Sequence, residues 1–149
     1  YEENARKKAL AAARLSGIPS VGDDSGIEIK GLGWQPGLLS ARYYEGTWTE
    51  RLTKLLASLR DSDREGREAR FICVMTLAEG NEIIGVGRGI MRCRIAEAPS
   101  GDSGFGYDPV VVPDGYDITL GEMSSYLKNR IGHRALAARD LTAQLSEIK

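Results

Sequence analysis

The sequence is poor in the residues that build metal and redox centres. Its 149 residues include one histidine and two cysteines, and neither Cys73 nor Cys93 belongs to a Cys-x-x-Cys or Cys/His pattern. Each cysteine lies in an apolar, strand-like run. Both are therefore expected to be reduced residues of the core.

Charge of one sign and long apolar runs are also missing. The 20 basic and 21 acidic residues leave a net charge of −1, so no overall field would attract DNA, RNA or an anionic membrane. No apolar run approaches the roughly 20 residues of a membrane span, and no signal peptide is recognised. The expectation is a cytoplasmic protein with no nucleic-acid or membrane partner.

The composition that remains is that of an ordinary globular protein. Hydrophobic residues make up 42% and charged residues 28% of the chain. This length and composition predict a single domain over residues 1–149 with one hydrophobic core.

The first thirty residues predict a helix followed by an interrupted strand. Residues 2–15 are rich in good helix formers, and Gly17 would end the helix. Val21 opens an apolar strand that Asp23-Asp24-Ser25-Gly26 interrupts, and residues 27–29 alternate as the next strand. Residues 31–37 are expected to form a constrained loop.

The rest of the chain predicts an α/β fold, with a mixed central β-sheet, a long β-hairpin and flanking helices. Thr47 and Glu50 form a capping box at the start of a helix. Residues 69–79 and 82–95 are expected to pair as the hairpin. Three glycines on one face of its second strand predict a close approach by backbone, a helix or a ligand: Gly85, Gly87 and Gly89.

The first candidate site is the acidic pair Asp23-Asp24. Two adjacent carboxylates at the end of an apolar strand are costly to bury unpaired. A turn at Ser25-Gly26 could aim one or both at a common cleft, where such oxygens suit Mg²⁺ and substrate phosphates. The alternative is an Asx-type turn with solvated carboxylates.

The second candidate is the glycine-rich loop around Phe105. Its flanking glycines let the backbone present an aromatic ring on which a nucleobase can stack. Asp108 is acceptor-only when ionised and could accept a hydrogen bond from the N1–H that hypoxanthine, xanthine and guanine carry, whereas adenine has an acceptor at N1. The alternative is a tight turn that leads into the strand at 110–112.

The third candidate is the basic segment 128–134. It holds three permanent cations and the only histidine, and His133-Arg134 opens a last helix, about 133–147, where backbone N–H groups favour anions. The apolar side of this helix is expected to carry Leu141, Leu145 and Ile148. On the first helix, Lys7 or Lys8 could reach a phosphate. A solvated basic surface is the alternative for all these cations.

Four segments in this order resemble the inosine triphosphatase family, also described as Ham1-like or RdgB-like. They are Val-Gly-Asp-Asp-Ser-Gly-Ile-Glu-Ile (21–29), Gly-Trp-Gln-Pro-Gly-Leu-Leu-Ser-Ala-Arg-Tyr (33–43), Gly-Phe-Gly-Tyr-Asp-Pro (104–109) and Lys-Asn-Arg-Ile-Gly-His-Arg (128–134). The likeness runs from residue 1 almost to the C-terminus. It implies hydrolysis of non-canonical purine triphosphates (ITP, dITP, XTP) to the monophosphate and pyrophosphate, with Mg²⁺ as cofactor and a homodimer as the common assembly.

The resemblance also implies roles for individual residues. Asp24 would help to activate the attacking water, and Asp23 would assist it at the metal site. The other implied residues all contact the nucleotide: Lys8 at the triphosphate, Ser25 beside the phosphates, Phe105 stacked on the base, Asp108 at its N1 edge, and Lys128, His133 and Arg134 around base and phosphates.

This sequence departs from the family pattern at its start. The family opens with a strand and a Thr-Gly-Asn-x-x-Lys phosphate loop, whereas this sequence begins at the helix that follows. One strand and part of the triphosphate cradle are therefore expected to be missing, which would expose a sheet edge. Three hypotheses follow: an active pyrophosphatase, a nucleotide-binding remnant without turnover, and a dimerisation or interaction module.

Overall fold

The computed structural model describes residues 1–147, which form a five-stranded sheet and four α-helices. The helices are α1 (Glu2–Ser16), α2 (Trp48–Ser58), α3 (Ser125–Ile131) and α4 (His133–Glu147). The strands are β1 (Ser20–Ile29), β2 (Gln35–Pro36), β3 (Glu68–Glu79), β4 (Glu82–Ile95) and β5 (Val111–Pro113). Their order in the sheet is β2-β1-β3-β4-β5, and the α/β class with a long β3–β4 hairpin is confirmed.

Local signals begin and end these elements much as expected. Gly17 ends α1 in the left-handed conformation, with φ of 71°. At α2 the Thr47 side chain accepts from the Glu50 amide while the Glu50 carboxylate accepts from the Thr47 amide, so the predicted capping box is present. In α4 Leu141 is buried as predicted, whereas Ile148 lies outside the described residues. None of the helices in residues 1–147 has the length and hydropathy to be a candidate membrane span.

The expected interruption of β1 does not occur. Ser20–Ile29 is one continuous strand, and Asp23-Asp24-Ser25-Gly26 lies inside it. No turn at Ser25-Gly26 therefore redirects the two carboxylates. The polar residues broke the apolar pattern in the sequence, but hydrogen bonding to the neighbouring strand β3 continues through them and decides the conformation.

One edge of β1 is largely uncovered. The two-residue strand β2 is antiparallel to β1 and pairs only with Glu28 and Ile29. Within residues 1–147, the outer edge of 20–27 therefore has no paired strand, in agreement with the exposed edge expected from the sequence.

The chain divides into two compact units, and β1, β3 and β4 each contribute to both. The first unit comprises Tyr1–Ser25, Ile72–Ile90 and the chain from Ile131 onwards. The second comprises Gly26–Phe71 and Met91–Arg130.

In the first unit, glycines let helices pack directly on strand backbone. A Cβ atom at Gly22 would lie 2.4 Å from the Ala9 amide nitrogen of α1. On β4, a Cβ at Gly87 would lie 2.2 Å from the carbonyl oxygen of Ala137, and one at Gly89 would lie 2.1 Å from that of His133. The close approach predicted for the β4 glycines is therefore by a helix, α4.

In the second unit, a buried tyrosine fixes the glycine-rich loop to the core. Tyr107 is 6% exposed, and its hydroxyl donates to the Ser40 carbonyl oxygen at 2.6 Å. Its ring also packs edge-on to Phe71, with 6.4 Å between ring centroids. Burial raises the pKa of the Tyr107 hydroxyl to about 12, so it remains a hydrogen-bond donor at neutral pH.

Candidate active site

Asp24 in the first unit is bound by two side chains of α1. Its carboxylate accepts a hydrogen bond from Lys8 Nζ at 3.1 Å and another from Asn4 Nδ2 at 3.0 Å. Lys8 Nζ also donates to the Asp23 carbonyl oxygen at 2.8 Å. Lys7 instead pairs with Glu3 on the exposed surface of the helix. The structure therefore distinguishes the two neighbouring lysines and places Lys8 beside the acidic pair.

Asp23 is directed away from Asp24. Its carboxylate lies 3.1 Å from Nε of Arg134 on α4. Consecutive residues of a strand point to opposite faces, and Asp24 shares the face of Gly22, which packs on α1. Asp23 and Asp24 therefore point to opposite faces of β1 instead of sharing the cleft considered for them.

At this site, a metal ion could bind to a single carboxylate, because the acidic side chains do not cluster. Among residues 1–147, no group of three or more His, Cys, Asp or Glu side chains could hold a metal ion. Mg²⁺ does not need such a cage, because it commonly binds one or two carboxylates and takes its other ligands from water and substrate phosphates. The Asp24 carboxylate, 18% exposed and beside a lysine, fits that mode of binding.

His133 is neutral at physiological pH. Burial and the neighbouring Arg134 guanidinium lower its pKa to about 4, against a small opposing effect of Asp23. Its position as the first residue of α4 agrees with the sequence prediction. His133 therefore contributes an uncharged imidazole to this cluster, whereas the cation comes from Arg134.

Ser25 lies inward from the acidic pair. Its hydroxyl oxygen is buried, so in this structure it is not presented at the surface where a phosphate would bind. It lies beside the thiol of Cys73, whose pKa is raised by burial and lowered less by the Ser25 hydroxyl. Both cysteines are buried and free, as predicted.

In the glycine-rich loop of the second unit, the Phe105 side chain is exposed and the Asp108 carboxylate is held by neighbouring groups. The Phe105 side chain is a large exposed hydrophobic group, 70% accessible. Two residues approach the same oxygen of the Asp108 carboxylate: the Phe105 amide donates at 3.3 Å, and Lys128 Nζ lies at 3.5 Å. Lys128 also donates to the Ser103 hydroxyl at 3.1 Å. An exposed ring, a carboxylate and an ammonium group are thus brought together at one surface.

Gly104 makes this arrangement possible. Its φ is +90°, and a Cβ atom there would lie 1.9 Å from Asp108 Oδ2 and 2.6 Å from Lys128 Nζ. Only glycine leaves room for the carboxylate over the loop backbone.

The basic segment 128–134 is divided between the two units. Lys128 on α3 binds the Asp108 loop, whereas Arg134 on α4 binds Asp23. The sequence predicts one basic cluster here, whereas in the structure Lys128 and Arg134 contact two different groups of residues.

Sequence reasoning missed Asn4 and Ser103. Asn4 precedes Lys8 by four residues, one helical turn, so it shares the helix face that meets Asp24. That spacing was the available signal. No local sequence signal indicates Ser103, because its contact with Lys128 spans 25 residues of sequence.

A separate cavity of about 720 Å³ lies within the second unit, beside Arg67, Arg94 and Glu122. None of the candidate residues lines it. Arg67 uses its guanidinium to hold the carbonyl oxygens of Ala96 and Leu59. This cavity therefore adds nothing to the candidate site.

The sequence is similar to those of several known proteins. The sequence model of the Ham1 family matches residues 1–144. A dITP/XTP pyrophosphatase of Deinococcus radiodurans is 43% identical over 144 residues, which make up 96% of this chain and 71% of that protein. A dITP/XTP pyrophosphatase of Gloeobacter violaceus is 43% identical over 146 residues, 98% of this chain and 73% of that protein.

The fold is similar to that of solved relatives as well. A HAM1 protein from Coxiella burnetii superposes with a TM-score of 0.87 at 37% identity, covering 99% of this chain and 77% of that one. The chain thus spans about three quarters of the length of the relatives it matches.

Proposed function

The chain belongs to the Ham1 family, and from that membership we propose that it hydrolyses dITP, ITP and XTP to the nucleoside monophosphate and pyrophosphate. The observation that carries this proposal is the similarity to dITP/XTP pyrophosphatases over almost the whole chain. The two residue groups described above have the chemistry that such a reaction needs.

The Lys128–Asp108 pair supports recognition of an oxo-purine. Hypoxanthine and xanthine carry a proton at N1 beside a carbonyl oxygen at C6. Asp108 would accept from N1–H and Lys128 would donate to O6, while Phe105 stacks on the base. Adenine presents an acceptor at N1 and a donor at C6, so both hydrogen bonds would be mispaired. Such mispairing discriminates strongly between substrates.

The first unit supports binding and cleavage of the phosphates. Lys8 and Arg134 supply cations beside carboxylates that point to the two faces of β1. We assign Asp24 to orienting the attacking water and Lys8 to the triphosphate. Asp23 holds Arg134, and His133 adds a neutral hydrogen-bonding group. Positioning and charge neutralisation of this kind account for most of the catalysis in phosphoryl-transfer reactions.

Mg²⁺ is the proposed cofactor. When bound, it would neutralise charge on the phosphate oxygens. Asp24 is the residue best suited to hold it, because one partly exposed carboxylate fits the way Mg²⁺ binds alongside phosphates. Asp23, whose carboxylate points to the other face of β1, would assist indirectly through its hold on Arg134.

Pyrophosphate release by this 149-residue chain tests the proposal. Release from dITP and XTP should exceed release from dATP and ATP by at least an order of magnitude, and EDTA should abolish it. Release without preference for oxo-purines would contradict the assigned roles of Asp108 and Lys128. A folded chain that binds XTP without releasing pyrophosphate would instead be a nucleotide-binding remnant, and one that binds no nucleotide would be an interaction module.

We further propose a homodimer that acts in the cytoplasm, where nucleoside triphosphates and Mg²⁺ are available together. Sedimentation equilibrium tests the assembly, and a mass of one chain at micromolar concentration would rule out the dimer.

A further inference from the structure

Trp48 contacts Tyr107 and faces Gly106, the two residues that connect Phe105 to Asp108. Its ring packs edge-on to Tyr107, with 5.3 Å between centroids and 72° between planes. A Cβ atom built at Gly106 would lie 3.5–3.9 Å from three carbons of its six-membered ring, so the indole faces the open side of Gly106. All these residues belong to the second unit.

The indole is itself held in a defined place. Trp48 is the first residue of α2 and lies within the Thr47–Glu50 capping box, which sets where the helix begins. The Arg51 guanidinium lies over the ring at 5.0 Å from its centroid. Arg51 in turn donates to the carbonyl oxygens of Gly46 at 2.8 Å and Ala41 at 2.7 Å. The helix and its arginine therefore present the indole to the loop at a fixed position.

Core formation alone does not explain this contact. Trp48 is 38% exposed, so much of its ring remains in water. Tyr107 is anchored separately, through Ser40 and Phe71. The contact with Trp48 adds a second restraint on Tyr107, which follows Gly106, and the φ of +64° at Gly106 belongs to a conformation that glycine adopts readily and leaves readily.

We propose that Trp48 is a positioning residue that holds the Phe105–Asp108 segment in its base-reading conformation. It acts through Tyr107 and does not itself touch the base. This role rests on the proposed function, because the loop is taken to bind the purine. It predicts that Trp48 governs nucleotide affinity and leaves the chemical step nearly unchanged.

The chain contains a matched control for this residue. Trp34, the only other tryptophan, is 42% exposed in the same unit and also lies against an arginine, Arg70, at 4.7 Å. It lies on a different loop, directly before β2. Replacing either tryptophan with leucine removes a half-exposed indole and its arginine contact, but only the Trp48 replacement removes the contact with Tyr107.

Steady-state kinetics of pyrophosphate release separates affinity from chemistry. Trp48→Leu should raise KM for XTP about three- to tenfold, the range expected for losing one aromatic pair, with kcat within about twofold of the parent. Trp34→Leu should leave both constants near the parent values. Equal effects of the two substitutions, or a fall in kcat with unchanged KM, would overturn the proposal. Trp48→Phe keeps an aromatic side chain at the start of α2 and should give an intermediate KM, which covers the case in which the leucine variant does not fold.

Amide hydrogen exchange of the free protein tests the same idea independently of activity. Trp48→Phe or Trp48→Leu should speed exchange of the Phe105, Tyr107 and Asp108 amides about tenfold or more while the β3–β4 hairpin exchanges as in the parent. Unchanged exchange in the loop would refute the positioning role even if the chain hydrolyses XTP. If the parent chain releases no pyrophosphate but the loop amides still exchange faster in the Trp48 variants, the positioning role stands and the proposed function is rejected.

Discussion

Lys8 Nζ lies 3.1 Å from Oδ1 of Asp24 and 2.8 Å from the carbonyl oxygen of Asp23, so one ammonium group holds both the side chain of one acid and the backbone of the other. This is possible because α1 packs directly on Gly22, which leaves no side chain between helix and strand. The cation that would meet the triphosphate and the carboxylate that would orient water are thus set relative to each other before any ligand binds.

Asp24→Asn should abolish turnover without unfolding the chain. The amide keeps the size of the side chain but is a far weaker base and loses the charge that pairs with Lys8. The measurement is pyrophosphate release from XTP, with circular dichroism to check the fold. Asp23→Asn is the matched control: it removes the partner of Arg134 and should lower the rate less. An unchanged rate in Asp24→Asn would defeat the assigned role.

Phe105→Ala should weaken nucleotide binding by about 1–3 kcal/mol if the ring stacks on the base. The side chain is 70% exposed in the free protein, so the substitution should cost little stability. Isothermal titration calorimetry with XTP, under conditions without turnover, measures the loss of binding free energy. Tyr126→Ala serves as control, because Tyr126 is equally exposed, at 72%, in the same unit. Equal affinity in Phe105→Ala and the parent would remove Phe105 from the site.

Gly104→Ala should raise KM for XTP at least tenfold. The new methyl group would lie 1.9 Å from Asp108 Oδ2, so the carboxylate must leave its place over the loop. Gly115→Ala separates this effect from backbone strain, because Gly115 has a similar φ of +84° with no atom within 4 Å of a Cβ. Both variants carry the left-handed strain of about 1–2 kcal/mol. If Gly115→Ala changes KM as much, displacement of Asp108 is not the cause.

Stability should fall as the pH is lowered from about 6.5 to about 4. Burial lowers the folded-state pKa of His133 to about 4 from its ordinary 6.5. In this range the unfolded chain takes up a proton that the folded chain does not, so the free energy of unfolding decreases towards acid, by up to about 3 kcal/mol in total. Above pH 6.5 the contribution of His133 to the free energy of unfolding no longer changes with pH.

Urea unfolding at a series of pH values measures this effect. His133→Asn carries no titrating imidazole and should show a flatter profile between pH 4 and 6.5. Because His133 is the only histidine, no other imidazole can mask the difference. Parallel profiles for the two proteins would show that His133 is not the group responsible.

Much of the fold follows from signals that act over a few residues. The capping box at Thr47 and Glu50 and the stop at Gly17 depend on neighbours three or four positions away, and both are present as predicted. The bounds predicted for the hairpin strands, 69–79 and 82–95, agree with the observed bounds to within one residue. The family resemblance rests on ordered motifs and is confirmed by the match over residues 1–144.

The sequence by itself thus determined the elements, the family and the kinds of side chain available for chemistry. Only the tertiary structure decided which of them meet. Because of hydrogen bonding between strands, β1 continues through Asp23 and Asp24, and their carboxylates point to opposite faces. Packing of α4 on the β4 glycines brought Arg134 to Asp23 across 111 residues of sequence. Periodicity and turn signals describe each segment alone, whereas these contacts depend on strand pairing and helix packing between distant segments.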